Sequence, residues 1–223
     1  KLIPQVFAGS QYANRMPIGT MDIVMNFPYQ TLKDYYHKWY RPDLQGIIIV
    51  GDIDADKTEK KLKEIFNTIP KPENAAERIY YTVPDNKEPI IAIAKDKEAT
   101  GSQVTVYYKH KPMTKELKAT IAGIAGIYLK SVTSMMLNDR LKEISEKPNA
   151  PFMSAYSYDA NFIVSKTMDA FTTMAVSKEG ETQKALKALL QETERVNRFG
   201  FTESEYERAK ANLLSMIESM YKE

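Results

Sequence analysis

Residues 35–57, YYHKWYRPDLQGIIIVGDIDADK, contain three consecutive signals that decide the fold. Pro42 disfavours helical geometry in the residue before it, so the helix at the start of this stretch should end near Tyr40. The run GIIIV at residues 46–50 is short, apolar and rich in β-branched residues, as in a strand that is covered on both faces. Asp54 is a good N-cap for a second helix. The stretch therefore predicts a helix, a buried strand and another helix.

A proline-rich segment separates this helix–strand–helix unit from the rest of the chain. Residues 70–89, PKPENAAERIYYTVPDNKEP, contain four prolines and many charges, which favours an interdomain linker. Residues 90–95 (IIAIAK) and 103–110 (QVTVYYKH) then predict two strands joined by a short loop. A long helix is expected from Thr114 to a break near Pro148.

The C-terminal part continues with two more strands and two helices. Residues 152–176 alternate as two strands, and the helix that follows should stop at Gly200. The last helix starts at FTESEY, in which Thr202 and Glu205 form a full capping box. Pairs of neighbouring strands beside runs of helix indicate an α+β fold, with a mainly antiparallel sheet and helices packed on one face.

The composition excludes several classes of site. The chain has 223 residues, enough for one large domain or two small ones. Its 31 Lys and Arg against 29 Asp and Glu give a net charge of +2, so no nucleic acid or anionic membrane is expected as partner. There is no cysteine, which excludes disulfides and zinc sites with Cys ligands. No run of 18 apolar residues occurs, so no membrane span is predicted.

The residues that could carry chemistry are few. His37 and His110 are the two histidines, and a zinc site built from this chain alone would need both of them and a carboxylate. Neither lies in a zinc-peptidase motif, and each is expected to be an exposed or edge residue. Asp52, Asp54 and Asp56 lack the rest of a calcium loop. The sequence therefore predicts no catalytic, cofactor-binding or metal-binding residue in this chain.

Four aromatic residues share one face of the first predicted helix: Tyr35, Tyr36, Trp39 and Tyr40. Such a face can stack on a ligand. A face buried in the core is the commoner explanation, and it is the one that we expect here.

Four segments resemble the insulinase/pitrilysin family of zinc metallopeptidases, which includes mitochondrial processing peptidase. They are YANRMPIGT (12–20), LKDYYHKWYRPDLQGIIIVGDID (32–54), MMLNDRLKEI (135–144) and GFTESEYERAKANLL (200–214). The resemblance covers nearly the whole chain and is strongest to bacterial zinc proteases of the periplasmic type. It implies an insulinase-like domain fold, and domains that assemble into a clam-like shell around a peptide chamber.

The family's zinc ligands come from H-x-x-E-H and a further Glu, both N-terminal to the segment that YANRMPIGT resembles. The resemblance therefore implies zinc in the parent protein, with its ligands upstream of residue 1, and no cofactor in this chain. Residues 1–72 would be the C-terminal remnant of the zinc-bearing domain. Residues 73–223 would be the second, non-catalytic domain, truncated at its C-terminal end.

The function that the resemblance implies is that of chamber wall and scaffold in a zinc-dependent endopeptidase. Its partners would be a peptide or protein substrate and other domains of the same chain, in the periplasm or outside the cell. Two alternatives stay open: a non-catalytic family member that acts as a peptide-binding or partner subunit, and an unrelated α+β binding module.

The apolar strand carries a further expectation. Residues 29–54 should either dock onto the sheet of residues 88–223 or pair with a second copy of the chain, which would make a homodimer.

Overall fold

The computed structural model describes residues 2–222, which form two compact units. One unit comprises Lys1–Arg15 and Tyr80–Glu223, and the other comprises Met16–Ile79. The two units are defined by contacts within the chain. The boundary expected between residues 72 and 73 separates two domains of the family, and it stays a prediction. In chain order the helices and strands are α1 (Ile3–Val6), α2 (Met21–Asn26), α3 (Tyr29–Trp39), α4 (Ala55–Phe66), β1 (Ser102–His110), α5 (Lys115–Lys118), α6 (Ile121–Ser145), β2 (Ser154–Asn161), β3 (Asp169–Ser177), α7 (Thr182–Phe199) and α8 (Glu203–Lys222).

The larger unit is built on a three-stranded antiparallel sheet in the order β1–β3–β2. The central strand β3 is paired with β1 from Asp169 to Ser177, and with β2 from Asp169 to Val176. The strands predicted at residues 103–110 and 152–176 are therefore confirmed, as is the α+β fold with an antiparallel sheet.

Helices α6 and α7 pack on one face of this sheet. Their shared core consists of Leu137, Leu141, Phe152, Ala175, Ala185 and Leu189. Since successive residues of a strand point to opposite faces, the position of Ala175 places the odd-numbered residues of β3 on the helix side. Helix α8 packs along α6 through Val132, Met136 and Ala209. The even-numbered residues of β3 lie on a face without these helices, which we call the helix-free face.

An N-terminal strap, residues 2–15, covers one end of the helix-free face. Phe7 is fully buried against Val83, Phe162 and Ala170. The Ser10 hydroxyl donates to the backbone carbonyl of Thr82 over 2.7 Å. Part of the predicted linker is therefore packed against the sheet in the larger unit, because its apolar Val83 has a buried site there.

The helical region predicted from Thr114 is two helices rather than one. Thr114 caps the short helix α5, and the Thr120 hydroxyl then accepts from the Gly123 backbone N–H at 3.1 Å to start α6. A Cβ on Gly123 would lie 2.1 Å from the carbonyl oxygen of Leu117. Glycine is therefore required here by the tight turn between α5 and α6. No helix among residues 2–222 is long and apolar enough to cross a membrane.

In the smaller unit, two predicted helix boundaries are confirmed and one predicted strand is absent. Helix α3 ends at Trp39, and Asp54 accepts from the Lys57 backbone N–H at 3.0 Å to start α4. The run at residues 46–50 belongs to no strand, and Ile48 and Val50 are 89% and 91% exposed. An apolar run becomes a strand only when another strand supplies hydrogen-bond partners, and none of the described segments does so here.

The same reason accounts for residues 90–95, which were expected to be a strand. They are unpaired, and Ile91 and Ile93 are exposed. Within the described chain the sheet contains β1, β3 and β2. The expected docking of residues 29–54 onto the sheet of residues 88–223 stays a prediction. Their pairing with a second copy of the chain stays a prediction.

Candidate functional site

The two histidines lie in different settings. His37 is exposed on α3, where its ring contacts the ring of Tyr36 with centroids 5.7 Å apart. His110 ends β1 and pairs through Nε2 with Asp159 at 2.9 Å. Among residues 2–222, no group of three or more His, Asp or Glu side chains is arranged to hold a metal ion.

The aromatic face of α3 does not belong to a core, contrary to expectation. Tyr35, Tyr36 and Tyr40 are each more than half exposed. The rings of Tyr36 and Tyr40 stack with centroids 5.0 Å apart and an interplanar angle of 18°. The smaller unit contains no buried apolar residue among its helices, so it offers no core for this face to enter.

The helix-free face of the sheet carries an aromatic strip. Tyr156 and Tyr158 on β2 stack with ring centroids 6.0 Å apart, and both are exposed. The Tyr156 hydroxyl lies 3.7 Å from the sulfur of Met174 on β3. Beyond the end that the strap covers, this face presents rings, a thioether and hydroxyl groups to the outside.

The strip continues across β3 to β1. Thr172 pairs in register with Tyr107 on one side and Tyr158 on the other, and this flanking leaves it only 2% exposed. Burial raises the pKa of Tyr107, and the neighbouring Tyr158 and Tyr156 add to that effect. The Tyr107 hydroxyl therefore stays neutral and available as a hydrogen-bond donor at physiological pH.

A second polar constellation joins the three long helices of the larger unit. Arg140 of α6 donates to the carboxylate of Glu205 on α8 through Nε and, at 2.9 Å, through Nη2. It also donates to Glu192 of α7 at 3.3 Å and to the carbonyl of Gly200 at 3.1 Å. The guanidinium lies over the ring of Phe201, 4.7 Å from its centroid. We call this group of residues the Arg140 junction. Because the guanidinium group of Arg140 already donates to Glu205, Glu192 and Gly200, we assign the junction a structural role.

The Arg140 junction also includes the predicted capping box. The backbone N–H of Thr202 donates to Glu205 at 2.6 Å, and the Glu205 N–H donates to the Thr202 hydroxyl at 3.3 Å. The hydrogen bonds from Arg140, aided by those from Thr202, lower the pKa of Glu205 from 4.5 to about 2, although burial opposes the shift. The capping box is therefore confirmed and carries a charge that α6 stabilises.

A third constellation lies on the helix side, at the end of the sheet where β1 and β2 stop and β3 begins. Lys130 of α6 donates to Asp159 at 2.6 Å and lies 4.0 Å from Asp169. Asn161 donates to the other oxygen of Asp169 at 3.0 Å. Together with His110 these residues form what we call the Asp159 cluster.

Sequence reasoning did not find either cluster. The Arg140–Glu205 and His110–Asp159 contacts join residues that are 65 and 49 positions apart. Only the capping box was visible, because its two members lie three residues apart.

Comparison with known proteins gives a consistent result. A family model described as "Peptidase M16 inactive domain" matches residues 26–213. The probable zinc protease PqqL of Haemophilus influenzae is 28% identical over 200 residues, which are 89% of this chain and 21% of that protein. The chain spans about a fifth of the length of the curated relatives that it matches.

Two solved structures share the fold. The first half of the periplasmic protease PqqL from Escherichia coli superposes with a TM-score of 0.73 at 21% identity, over 97% of this chain and 45% of that chain. The ferredoxin protease FusC, solved in complex with Arabidopsis ferredoxin, gives a TM-score of 0.73 at 22% identity, over 94% of this chain and 23% of that chain.

Proposed function

Because the chain belongs to the peptidase M16 family, whose inactive domain it matches, we propose that it forms chamber wall and scaffold in a zinc-dependent endopeptidase that acts on peptides or proteins. The observation that carries this proposal is the helix-free face. Helices α6 and α7 close one side of the sheet, and the other side leaves Tyr156 and Tyr158 exposed.

The aromatic strip suits an unfolded peptide. Rings bury apolar side chains of many shapes, and the Tyr hydroxyls can donate to peptide carbonyls. Such contacts depend little on the amino-acid sequence of the bound peptide. A chamber wall in a peptidase that accepts many peptides requires this property. The complex of the similar FusC with ferredoxin supports a protein as the kind of substrate.

Zinc belongs to the proposed parent protein and not to the residues described here. Relatives named as zinc proteases support a zinc-dependent parent. The described residues offer no metal cluster, so the ligands would lie elsewhere in the parent. The periplasmic location of the E. coli relative supports a periplasmic or secreted location for the parent.

A second candidate function is that of a non-catalytic partner subunit, which the description of the matched domain as inactive favours. The two functions make the same use of the aromatic strip. They differ in whether the parent carries H-x-x-E-H upstream of residue 1, and sequencing the parent gene decides between them.

The wall function is tested by adding a short unstructured peptide to the ¹⁵N-labelled chain and following amide chemical shifts. We expect shifts to concentrate on β2 and β3, and Tyr156→Ser with Tyr158→Ser to weaken them. Tyr29→Ser removes an even more exposed ring from the smaller unit and is the control. The proposal fails if the shifts lie elsewhere, or if the control weakens binding as much.

A further inference from the structure

We propose that a second copy of this chain packs against the N-terminal half of α6 and the C-terminal half of α8. Each of these helix halves presents an apolar stripe that the chain leaves exposed. The association uses neither the aromatic strip nor the peptide-binding role proposed for it, and it is distinct from any pairing of residues 46–50.

The other halves of the two helices show what these stripes can bind. Val132 and Met136 of α6 pack against Ala209 of α8, and Tyr128 and Leu213 are partly buried beside them. On each helix these residues lie four positions apart, so they share one face of it. The two helices therefore contact each other through matching apolar stripes.

Both stripes continue beyond this contact at a spacing of three or four residues. The residues that extend them are Ile121 and Ile124 on α6 and Met216, Ile217 and Met220 on α8. We call these five side chains the outer stripes. All five are exposed, from 49% for Ile217 to 87% for Ile121. The outer stripes therefore repeat the pattern of the packed halves without being packed.

The chain covers a different side of this half of α6. A Cβ on Gly126 would lie 2.9 Å from the Cε atom of Met113, and the tight turn after α5 covers Gly123. Residues 121–129, IAGIAGIYL, contain no charged side chain. A helix that is apolar on all sides is normally buried, so the exposed side of this helix half is expected to be covered by another apolar surface.

A second copy supplies such a surface. Because α6 and α8 already fit each other within one chain, the outer stripe of α8 in one copy can pack on the outer stripe of α6 in the other. Two-fold symmetry then forms the reciprocal pair at the same time and buries both outer stripes of each copy.

The exposed area is large enough for such a dimer. Leu129, Leu214 and Tyr221 flank the outer stripes and are also exposed. With them, each copy offers apolar surface of the same order as the roughly 800 Å² per partner that a stable protein interface buries. The charged Glu218 and Lys222 lie on the opposite side of α8 from the outer stripe, so the interface requires no charged partner.

The test measures paramagnetic broadening between two different chains. Because the chain has no cysteine, a nitroxide on Ser219→Cys labels the last turns of α8 at one position and leaves the outer stripes intact. This chain, without ¹⁵N, is mixed with ¹⁵N-labelled wild type. We expect the amide signals of residues 121–129 in the ¹⁵N-labelled chain to lose intensity, because the label of one copy lies beside α6 of the other.

Two variants of α8 test the outer stripe itself. Ile217→Lys in both chains should abolish the broadening, because it places a charge in the apolar contact. Ser215→Lys, at an exposed site on the opposite side of the helix, is the matched control and should retain the broadening. Both sites are exposed, and the amide spectrum of each variant shows whether the fold is kept.

Two further samples separate this interface from others. A nitroxide on Gln191→Cys, at an exposed site of α7, should leave residues 121–129 unaffected. Broadening from Ser219→Cys should persist when both chains carry Ile48→Lys, since residues 46–50 are not part of the contact. A label at Ser219→Cys that broadens no residue of α6 overturns the proposal, and so does broadening that survives Ile217→Lys.

Discussion

Replacing Glu205 with Gln tests whether the Arg140 junction stabilises the fold through charge. Gln keeps the size of the side chain and can still accept from the Thr202 N–H, so the capping box survives the change. The negative charge facing Arg140 is lost, while Glu192 and the Gly200 carbonyl remain as partners of the guanidinium.

The expected magnitude follows from the pKa of Glu205. A fall from 4.5 to about 2 corresponds to at most about 3 kcal/mol of stabilisation of the ionised form. The carboxylate lies at the rim of the junction, with 13% of its side chain still exposed. Solvent screening therefore reduces the expected loss in Glu205→Gln to about 1–2 kcal/mol at pH 7.

The sign of the pH dependence is fixed by the lowered pKa. The ionised carboxylate contributes its full stabilisation above about pH 4.5, and that contribution is lost as the pH falls toward 2. Urea denaturation followed by circular dichroism should therefore show a wild-type advantage at pH 7 that shrinks by roughly half or more at pH 3. Glu194→Gln, in an exposed pair with Arg198, should leave the denaturation midpoint nearly unchanged. An equal loss at both pH values, or an equal loss in the control, would refute the charge argument.

The remaining predictions use the same chain. Thr202→Ala should lower the free energy of unfolding by about 1 kcal/mol, the usual cost of an N-cap, and an unchanged midpoint would contradict the observed start of α8. Size-exclusion chromatography with light scattering should show self-association through residues 46–50. In that experiment Ile48→Lys should shift the chain toward monomer, whereas Lys57→Ala, at an exposed site on α4, should not. After dialysis the chain should retain no stoichiometric zinc and show no peptidase activity; one zinc per chain that is lost in His37→Gln or His110→Gln would contradict this.

What could be predicted from the sequence was local. The helix boundaries at Asp54, Gly200 and Thr202 each depend on groups within three or four residues, and the structure confirms all three. The predictions of strands at residues 46–50 and 90–95 were wrong, because strand formation depends on a partner strand elsewhere in the chain. The pattern of apolar residues in a segment does not show whether such a partner exists. The prediction that the aromatic face of α3 is buried was wrong for a related reason. The spacing of its rings is typical of a core helix, but burial also requires a second apolar surface against which the rings can pack.

The N-terminal strap has a consequence for the order of folding. The Tyr12 hydroxyl accepts from the backbone N–H of Lys166, a contact that spans 154 positions of the chain. The strap is therefore synthesised before its partners in β3 and in the loop between β2 and β3, which include Phe162, Lys166 and Ala170. Closing so long a loop costs entropy before any contact compensates for it, and contacts of this range slow folding. Until then Phe7 stays exposed on the nascent chain, and the ordering of the strap marks a late step.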